Sequence, residues 1–292
     1  MKLFSGSHLA TLGALGLFGF SSLVFSAHSE TDLSKRQAPN TVYPGHESEM
    51  TGSYNQTIWV LPIDKSVAKS MAGGNYELLE HGLDSSYIGP NQHPLLIVAG
   101  YMYDIRQGIT KVNQLSSTSV YVPFVDRTGQ GKPFLCSTLT LLDQLVPTLV
   151  GFLSQITVTG LANYDPPHNA YKNTGINDFS LTITQGTTIL TPNLAVTKFQ
   201  SNFHATPQQS IKSEQFISMV NQPFYKPLTG LCNYQTQLYN ETFSSPFFVT
   251  GQVQTFNPVT PSTMVFNDAQ GWTATAEWIS GSGLGQSCSN FV

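Results

Sequence analysis

Two short pairs of charged residues are the strongest chemical signal in the sequence. Asp104 and Arg106 stand at the end of one apolar run, and Asp126 and Arg127 stand at the end of the next. A guanidinium can hold a carboxylate through two parallel hydrogen bonds, and a neighbouring aspartate can orient it. We therefore predict that these four residues bind a carboxylate-bearing ligand. The alternative is that they form structural ion pairs that tie two strand ends together.

The remaining residues offer few other candidates for chemistry. Tyr101 and Tyr103 lie just before the first pair, where we expect them to line the ligand pocket, with simple packing as the alternative. The sequence contains no Gly-x-Ser-x-Gly motif, no His-x-x-x-His pair and no glycine pattern that cradles phosphate. We therefore expect no metal and no cofactor. An enzyme built on this sequence would use Asp104, Asp126 or Glu277 as its acid or base.

The N-terminus has the features of a secretory precursor. Residues 1–27 combine a positive start, an apolar stretch and small residues at its end, which is typical of a signal peptide. Residues 28–36 would then be a short propeptide that ends at Lys35 and Arg36, a dibasic pair resembling the sites cut by fungal and yeast secretory proteases. The alternatives are an uncleaved membrane anchor and an ordinary exposed Lys-Arg pair. We predict a secreted protein without a stable membrane anchor.

The composition excludes some classes of partner. The chain of 292 residues has a formal net charge of −4, and loss of the first 36 residues would leave a charge near −5. The sequence has no basic stripe, so nucleic acid is not an expected partner. Hydrophobic residues make up 40% of the chain, which is enough to build a folded core instead of a disordered chain. The oligomeric state stays open.

Modification signals also point to the secretory pathway. Asn55 and Asn240 each begin an Asn-x-Thr acceptor for an N-glycan, which would place both at the surface. Three cysteines in an oxidising compartment leave one unpaired. We predict a disulfide between Cys232 and Cys288, which flank polar, turn-rich sequence. Cys136 lies within an apolar run, where a buried free thiol is expected.

The pattern of apolar residues predicts a mainly β (α+β) protein. Runs rich in β-branched and aromatic residues indicate roughly ten strands in antiparallel sheets around one core. These runs are residues 54–61, 95–103, 119–125, 134–142, 156–162, 179–184, 188–190, 195–203, 233–243, 247–256, 263–267 and 272–279. Two or three helices are expected at 64–72, 143–153 and 210–220. The predicted organisation is an arm at 37–53, a single β domain at 54–280 and a tail at 281–292.

Three segments resemble the acetoacetate decarboxylase-like superfamily. They are TIWVLPIDKSVAKSMAG, the pair LLIVAGYMYDIRQG and SVYVPFVDRTG, and GLCNYQTQLYNETF. The likeness spans residues 54–280 and is greatest for secreted fungal members. It implies a cone-like β-barrel with flanking helices.

The same resemblance argues against the family's reaction. Its enzymes use a lysine that forms a Schiff base, with a second lysine beside it to lower the pKa of the first. The corresponding region, roughly 146–162, contains no lysine, and Lys111, Lys132 and Lys198 each stand alone. We therefore expect a secreted glycoprotein that binds a small molecule in the barrel without decarboxylating it. One alternative is an enzyme that acts on a small keto acid with other residues. A second is a cell-surface or matrix interaction glycoprotein with a broad exposed apolar patch.

Overall fold

A computed structural model gives the fold of residues 38–145, 159–185, 198–227, 229–240, 243–257, 262–281, 283 and 285–292. Several predicted features lie outside these ranges. They are the signal peptide, the propeptide with Lys35 and Arg36, most of the helix expected at 143–153, the strand expected at 188–190 and parts of two neighbouring strands.

The described residues form one mainly β arrangement. The strands are β1 (Met50–Asp64), β2 (Glu77–Leu78), β3 (Gln92–Gln107), β4 (Thr110–Asp126), β5 (Pro133–Leu142), β6 (Thr159–Leu161), β7 (Asn163–Asp165), β8 (Lys172–Gly175), β9 (Asp178–Thr184), β10 (Lys198–Thr206), β11 (Phe224–Tyr225), β12 (Cys232–Asn233), β13 (Gln235–Leu238), β14 (Phe247–Asn257) and β15 (Ser262–Ser280). The helices are α1 (Lys65–Met71) and α2 (Ser213–Val220), and a 3-10 turn spans Cys288–Phe291. Both α-helices fall where the sequence predicts them. Asp64 stands at the start of α1 as expected, but its side chain makes no capping hydrogen bond.

The strands pair in the order β12-β11-β5-β4-β3-β1-β15-β14-β10-β9-β7, with short strands β2, β6, β8 and β13 added at the sides. Most neighbours are antiparallel, as predicted, while β5 pairs in parallel with β11 and with β6. Within the described part of the chain this order is a linear path whose two ends do not pair. Closure into a barrel therefore stays a prediction.

The two faces of the sheet carry separate cores. We call the inner face the side that bears Trp59 on β1 and Phe203 on β10, and the outer face the side that α2 covers. Strands β15 and β14 separate β1 from β10, so a flat sheet would hold the backbones of β1 and β10 roughly 14 Å apart. The Trp59 and Phe203 rings nevertheless meet edge to face, with their centroids 5.3 Å apart. The sheet therefore curves around the inner core.

The longest hairpin differs from the sequence prediction. The predicted strands end at residue 103 and resume at residue 119, yet β3 and β4 continue through the polar residues between them and turn at Gly108 and Ile109. A two-residue turn matches the twist of paired strands, and Gly108 supplies the positive φ angle of 54° that it needs. The pairing of β4 with β5 shifts between Val122 and Val125, so a bulge lies at Pro123, where a ladder hydrogen bond from the backbone nitrogen is not possible.

The structure joins Cys232 and Cys288 in a disulfide, in agreement with the sequence prediction. It ties the final 3-10 turn to β12 at the edge of the sheet. Cys136 on β5 is free and buried, also as predicted.

Replacement of Gly100 by alanine should destabilise the protein. An added Cβ at Gly100 would stand 2.1 Å from the backbone oxygen of Asn55 on the neighbouring strand, and two central strands cannot separate locally. We expect a loss of about 1–3 kcal/mol in the free energy of unfolding, the usual range for overpacking. Urea unfolding measures it. Gly89→Ala is the control, since its Cβ would meet only the Gln92 side chain at 3.3 Å. Equal unfolding midpoints for the two variants would contradict the close approach of β1 and β3.

Candidate functional site

The first predicted charged pair forms an ion cluster at the tip of the β3–β4 hairpin. The Arg106 Nε lies 2.9 Å from a carboxylate oxygen of Asp104, and the Lys111 ammonium lies 3.0 Å from the same oxygen. Partial burial acts to raise the pKa of Asp104, but the hydrogen bonds from Arg106 and Lys111 outweigh it and the pKa is lowered. The Arg106 guanidinium also stacks on the Tyr43 ring, 5.1 Å from its centroid. These contacts hold the hairpin tip against the N-terminal arm.

Arg127 packs between two aromatic rings at the other end of β4. Its guanidinium carbon lies 4.8 Å from the centroid of Tyr76 and 5.6 Å from that of Tyr225. The guanidinium donates a hydrogen bond of 3.0 Å to the carbonyl of Gly230. Arg127 thereby connects the β4–β5 turn to the β11–β12 turn.

The two pairs do not come together in the structure. Lys111 and Arg127 are 16 positions apart along the chain, at opposite ends of β4, which corresponds to roughly 50 Å of extended strand. The Asp126 carboxylate accepts hydrogen bonds of 3.1 Å from the backbone amides of Gln130 and Gly131, so it shapes the turn beside it. The geometry favours structural roles for both pairs over a shared ligand site. Among the described residues Asp104 and Arg106 form the expected ion pair, whereas Asp126 and Arg127 contact other groups instead of each other.

A different set of polar residues does come together, on the inner face at the end nearest the N-terminal arm. Its members lie on or beside neighbouring strands β3, β4, β5, β6, β7 and β9. We call this set the inner polar site: Tyr101, Gln114, Ser116, Thr118, Asp143, Tyr164, His168 and Gln185.

A chain of polar contacts runs across this site. The Tyr101 hydroxyl donates to the side-chain oxygen of Gln114 at 2.6 Å. The Gln114 amide lies 3.3 Å from Nδ1 of His168, and that nitrogen lies 4.0 Å from the Asp143 carboxylate. The other oxygen of Asp143 accepts a hydrogen bond of 2.9 Å from the backbone amide of Ser116. A tyrosine, an amide, an imidazole and a carboxylate are thus placed in sequence at one end of the inner face.

Two buried hydroxyls lie in the site, and one of them has no hydrogen-bond partner among the described residues. Ser116 is 0% exposed and its Oγ is unsatisfied, while Thr118 is 1% exposed and its hydroxyl interacts with the hydroxyl of Tyr164. Strand alternation turns both side chains to the inner face, and their register partners on β3 are Tyr101 and Ala99. A buried hydroxyl without a partner is unfavourable by about 1–3 kcal/mol.

Gln185 adds two more unsatisfied atoms on the inner face, beside Gly160 of β6. Both its amide nitrogen and its amide oxygen are buried without a partner among the described residues. The nitrogen occupies the space where Gly160 would carry a Cβ, and the side chain of Leu141 borders that space. Leu141 is the register partner of Thr118 and its carbonyl accepts a hydrogen bond of 2.8 Å from the Tyr164 hydroxyl. Gln185, Tyr164 and Thr118 therefore surround one part of the inner face.

The electrostatics make Tyr101 a proton donor. Burial raises the pKa of Tyr101 well above its usual value, and the nearby Asp143 and Tyr103 raise it further. Its hydroxyl therefore keeps its proton at neutral pH. None of the described residues of the inner polar site is a lysine or an arginine.

Tyr103 and Glu277 hold the N-terminal arm in place. The Tyr103 hydroxyl accepts a hydrogen bond of 2.6 Å from the backbone amide of Ala38. The buried Glu277 carboxylate accepts hydrogen bonds from the hydroxyl and backbone amide of Thr41 and from the amide of Val42. Because these bonds occupy Glu277, it is poorly placed to act as the acid or base considered from the sequence.

The two glycan acceptors differ in their surroundings. Asn55 lies in the middle of β1, paired with Tyr101 on one side and Thr275 on the other, and it is half-buried. Its Thr57 is buried and its hydroxyl lies 3.0 Å from that of Thr273. Asn240 follows β13 and is exposed. The surface position expected from the sequence therefore fits Asn240 and does not fit Asn55.

Sequence reasoning missed one lysine of unusual burial. Lys226 is 1% exposed, and among the described residues it makes no ion pair or side-chain hydrogen bond. Burial lowers its pKa. Its position in the apolar stretch FYK before Pro227 was the available signal. The inner polar site was also missed. Polar residues occur on both faces of β4 in this region, and the sequence does not say which of the two faces is the inner one.

In the part of the chain that the structure describes, no group of three or more His, Cys, Asp or Glu side chains is arranged to hold a metal ion. No helix in the same ranges has the length and hydropathy needed to cross a bilayer.

Comparison with known proteins gives only distant structural likenesses. No family model and no curated protein matches the sequence. The enduracididine biosynthesis enzyme MppR is similar with a TM-score of 0.46 and 8% identity, over 80% of this chain and 86% of MppR. A solved acetoacetate decarboxylase has a TM-score of 0.46 and 10% identity, over 81% and 89%. Acetoacetate decarboxylase from Legionella pneumophila has a TM-score of 0.44 and 10% identity, over 81% and 87%.

Glycan occupancy should differ between the two acceptors. We expect an N-glycan at Asn240 and none at Asn55, because a glycan on Asn55 would have to fit against the inner face between two paired strands. Peptide mass spectrometry of the protein from a glycosylating host measures both positions. Asn240→Gln should remove all glycan mass, whereas Asn55→Gln should leave it unchanged. A glycan on Asn55 of the folded, secreted protein would contradict the placement of Asn55.

The buried Lys226 should make the free energy of unfolding depend on pH in the alkaline range. Its pKa is lowered in the folded state from 10.5, so the unfolded chain binds more protons between the two pKa values and stability rises with pH there. Below the pKa that Lys226 has in the folded state, burial of the charged ammonium lowers the free energy of unfolding by its full amount. Lys226→Met should remove this rise and stabilise the protein at neutral pH by on the order of 1 kcal/mol.

Urea unfolding at a series of pH values from 7 to 10.5 compares wild type with Lys226→Met. Lys132→Met is the matched control, because Lys132 is exposed and should behave as wild type. If the free energy of unfolding changed with pH in the same way for wild type and Lys226→Met, that result would show that Lys226 is solvated.

Proposed function

We propose that this chain is a secreted, non-decarboxylating protein of the acetoacetate decarboxylase-like type, and that it binds a small hydroxylated molecule at the inner polar site. Part of the support comes from the sequence. The signal-like N-terminus, the dibasic pair and the two glycan acceptors all favour secretion. The disulfide between Cys232 and Cys288 fits an oxidising compartment.

The observation that carries the binding proposal is the group of buried polar side chains on the inner face that lack full hydrogen bonding. Ser116 and Thr118 are buried on the same side of β4; among the described residues Ser116 Oγ has no partner, and the Thr118 hydroxyl interacts with that of Tyr164. Most buried polar groups in proteins are hydrogen-bonded, so an unsatisfied cluster calls for a bound molecule that supplies the missing bonds. The unsatisfied amide of Gln185 near Thr118 extends the cluster.

The residues of the site define the chemistry of the ligand. The side chains of Ser116, Thr118 and Gln185 can each donate and accept hydrogen bonds, while the Tyr101 hydroxyl donates one. Asp143 adds a negative charge and no described residue of the site adds a permanent positive one. A ligand with several hydroxyl groups and no net negative charge, such as a small polyol or sugar, matches these groups. A carboxylate ligand, as the charged pairs first indicated, would meet Asp143 without a guanidinium to offset it.

The lysine content of the sequence supports the absence of the family's reaction. The region from 146 to 162 holds no lysine, and the described lysines Lys111 and Lys132 lie at hairpin turns and are exposed. Lys226 is buried, but no second lysine contributes to the lowering of its pKa. A closed cone-like barrel is part of the same proposal and would enclose the inner polar site.

The double variant Ser116→Ala, Thr118→Val should lose affinity for the ligand without loss of stability. Each hydroxyl would contribute about 0.5–1.5 kcal/mol to binding, so together we expect affinity to fall by roughly tenfold to a hundredfold. The unliganded variant should be about as stable as wild type, because removal of the unsatisfied Ser116 hydroxyl offsets loss of the contact between Thr118 and Tyr164. Thermal shift and calorimetry with a panel of small polyols and monosaccharides measure both effects.

The control for this experiment is Ser218→Ala, an exposed serine of α2 on the outer side of the sheet. It should bind as wild type does. Wild-type protein that binds no member of the panel, or a double variant that binds with unchanged affinity, would overturn the proposal.

A further inference from the structure

The Asp143 carboxylate places a negative charge in the inner polar site and uses only one of its two oxygens. The side chain is 13% exposed, and one oxygen accepts the hydrogen bond of 2.9 Å from the backbone amide of Ser116. The other oxygen lies 4.0 Å from Nδ1 of His168, which is longer than a hydrogen bond. A carboxylate with so little exposure normally has a cation or several donors beside it. Among the described residues the second oxygen of Asp143 has neither.

The His168 imidazole does not supply the missing positive charge. The Tyr101 hydroxyl donates to the side-chain oxygen of Gln114, which turns the Gln114 amide nitrogen towards Nδ1 of His168 at 3.3 Å. An amide nitrogen donates hydrogen bonds and does not accept them, so Nδ1 must be the acceptor. Only the uncharged ring has an acceptor nitrogen, and in this arrangement Nδ1 has no proton to donate to Asp143.

The lysines and arginines of the chain do not offset the charge either. All of those after residue 36 lie within the ranges that the structure describes, and the segments outside these ranges add none. Arg106 and Lys111 form their ion pairs with Asp104 instead. None of the cations whose side chains the structure describes forms an ion pair with Asp143. A cation on a bound molecule is therefore the partner that the site lacks.

The buried hydroxyl of Ser116 stands next to the same carboxylate. Ser116 is 0% exposed, and its Oγ has no partner in the described part of the chain. Because the backbone amide of Ser116 binds Asp143, the hydroxyl of the same residue lies close to that carboxylate. A hydroxyl oxygen accepts hydrogen bonds as readily as a carboxylate does. The site therefore offers an anionic acceptor and a neutral acceptor side by side.

We propose that the ligand of the inner polar site is a hydroxylated primary amine, such as a small amino sugar or amino alcohol. This inference rests on the binding function proposed above and narrows the ligand to one chemical class. A primary ammonium carries three donors. Two of them would bind the free oxygen of Asp143 and the hydroxyl of Ser116, and the ligand hydroxyls would bind the remaining polar groups.

An amine should bind more tightly than the alcohol of the same shape. Hydrogen bonds between an ammonium and a carboxylate are roughly twice as strong as those between neutral groups. A hydroxyl in place of the ammonium would leave the Asp143 charge without a counterion. We therefore expect a preference for the amine of about tenfold or more.

Two matched pairs of compounds test this preference in the purified full-length protein. They are 2-aminopropane-1,3-diol with glycerol, and glucosamine with glucose, which differ only by an amine in place of one hydroxyl. Calorimetry at about pH 7, where most of the amine is protonated, gives the four affinities. We expect the amine of each pair to bind at least about tenfold more tightly than its partner.

The variant Asp143→Asn shows whether this carboxylate causes the preference. It keeps the oxygen that accepts from Ser116 and removes the charge, so the amine and the alcohol of each pair should then bind with similar affinity. Asp268→Asn is the matched control, since it removes an exposed carboxylate of β15 and should keep the preference. The comparison within wild type does not depend on whether Asp143→Asn folds.

The outcomes separate this inference from the function on which it rests. Equal affinities within each pair for wild type would overturn the amine and leave the proposed polyol site intact. A preference that persists in Asp143→Asn would overturn the role of the carboxylate and with it this inference. Wild-type protein that binds none of the four compounds would overturn both proposals.

Discussion

The pairing of β1 along both of its edges is the constraint on which the structure depends. β1 pairs with β15 from Met50 to Val60 on one side and with β3 from Thr51 to Asp64 on the other. A strand that is paired on both sides cannot slip by one residue without turning all of its inward-facing side chains to the outer face. This fixes Trp59 on the inner face and Ile58 on the outer face. The close approach at Gly100 and the ring contact between Trp59 and Phe203 both follow from this arrangement.

Curvature of the sheet around the inner core explains why polar groups collect at one end of it. Aromatic rings fill the inner face around Trp59 and Phe203, whereas nearer the arm the inner side of β4 carries Ser116 and Thr118 instead of apolar residues. The N-terminal arm is bound at this end through Tyr103 and Glu277. An apolar core that gives way to incompletely hydrogen-bonded polar groups is costly for stability, and the polar molecule that we propose as the ligand would offset that cost.

Much of the fold could be predicted from the sequence because local patterns dominate it. Apolar β-branched runs located most strands, and a short amphipathic pattern located α1 and α2. The disulfide between Cys232 and Cys288 and the burial of Cys136 followed from their surroundings. The continuous β3–β4 hairpin was missed, because its polar residues were interpreted as a loop although they alternate along two paired strands.

The candidate site was harder to predict because it depends on which residues become neighbours. Arg106 and Arg127 were chosen for their chemistry, and the structure gives both of them aromatic and hydrogen-bond contacts far from each other. Ser116 and Thr118 look ordinary in a serine-rich and threonine-rich chain until strand register buries them. The sequence analysis did not single out Lys226, and only burial in the folded protein makes it unusual. Long-range pairing decides all three cases, and a single sequence does not specify it.

Native mass spectrometry of the protein purified from a secreting eukaryotic host tests the central claim most directly. The account predicts a small hydroxylated molecule that stays bound to wild type and is lost from the double variant Ser116→Ala, Thr118→Val. A wild-type protein that carries no such molecule, and also gains none when incubated with small polyols and sugars, would contradict the claim that the inner polar site is a binding site.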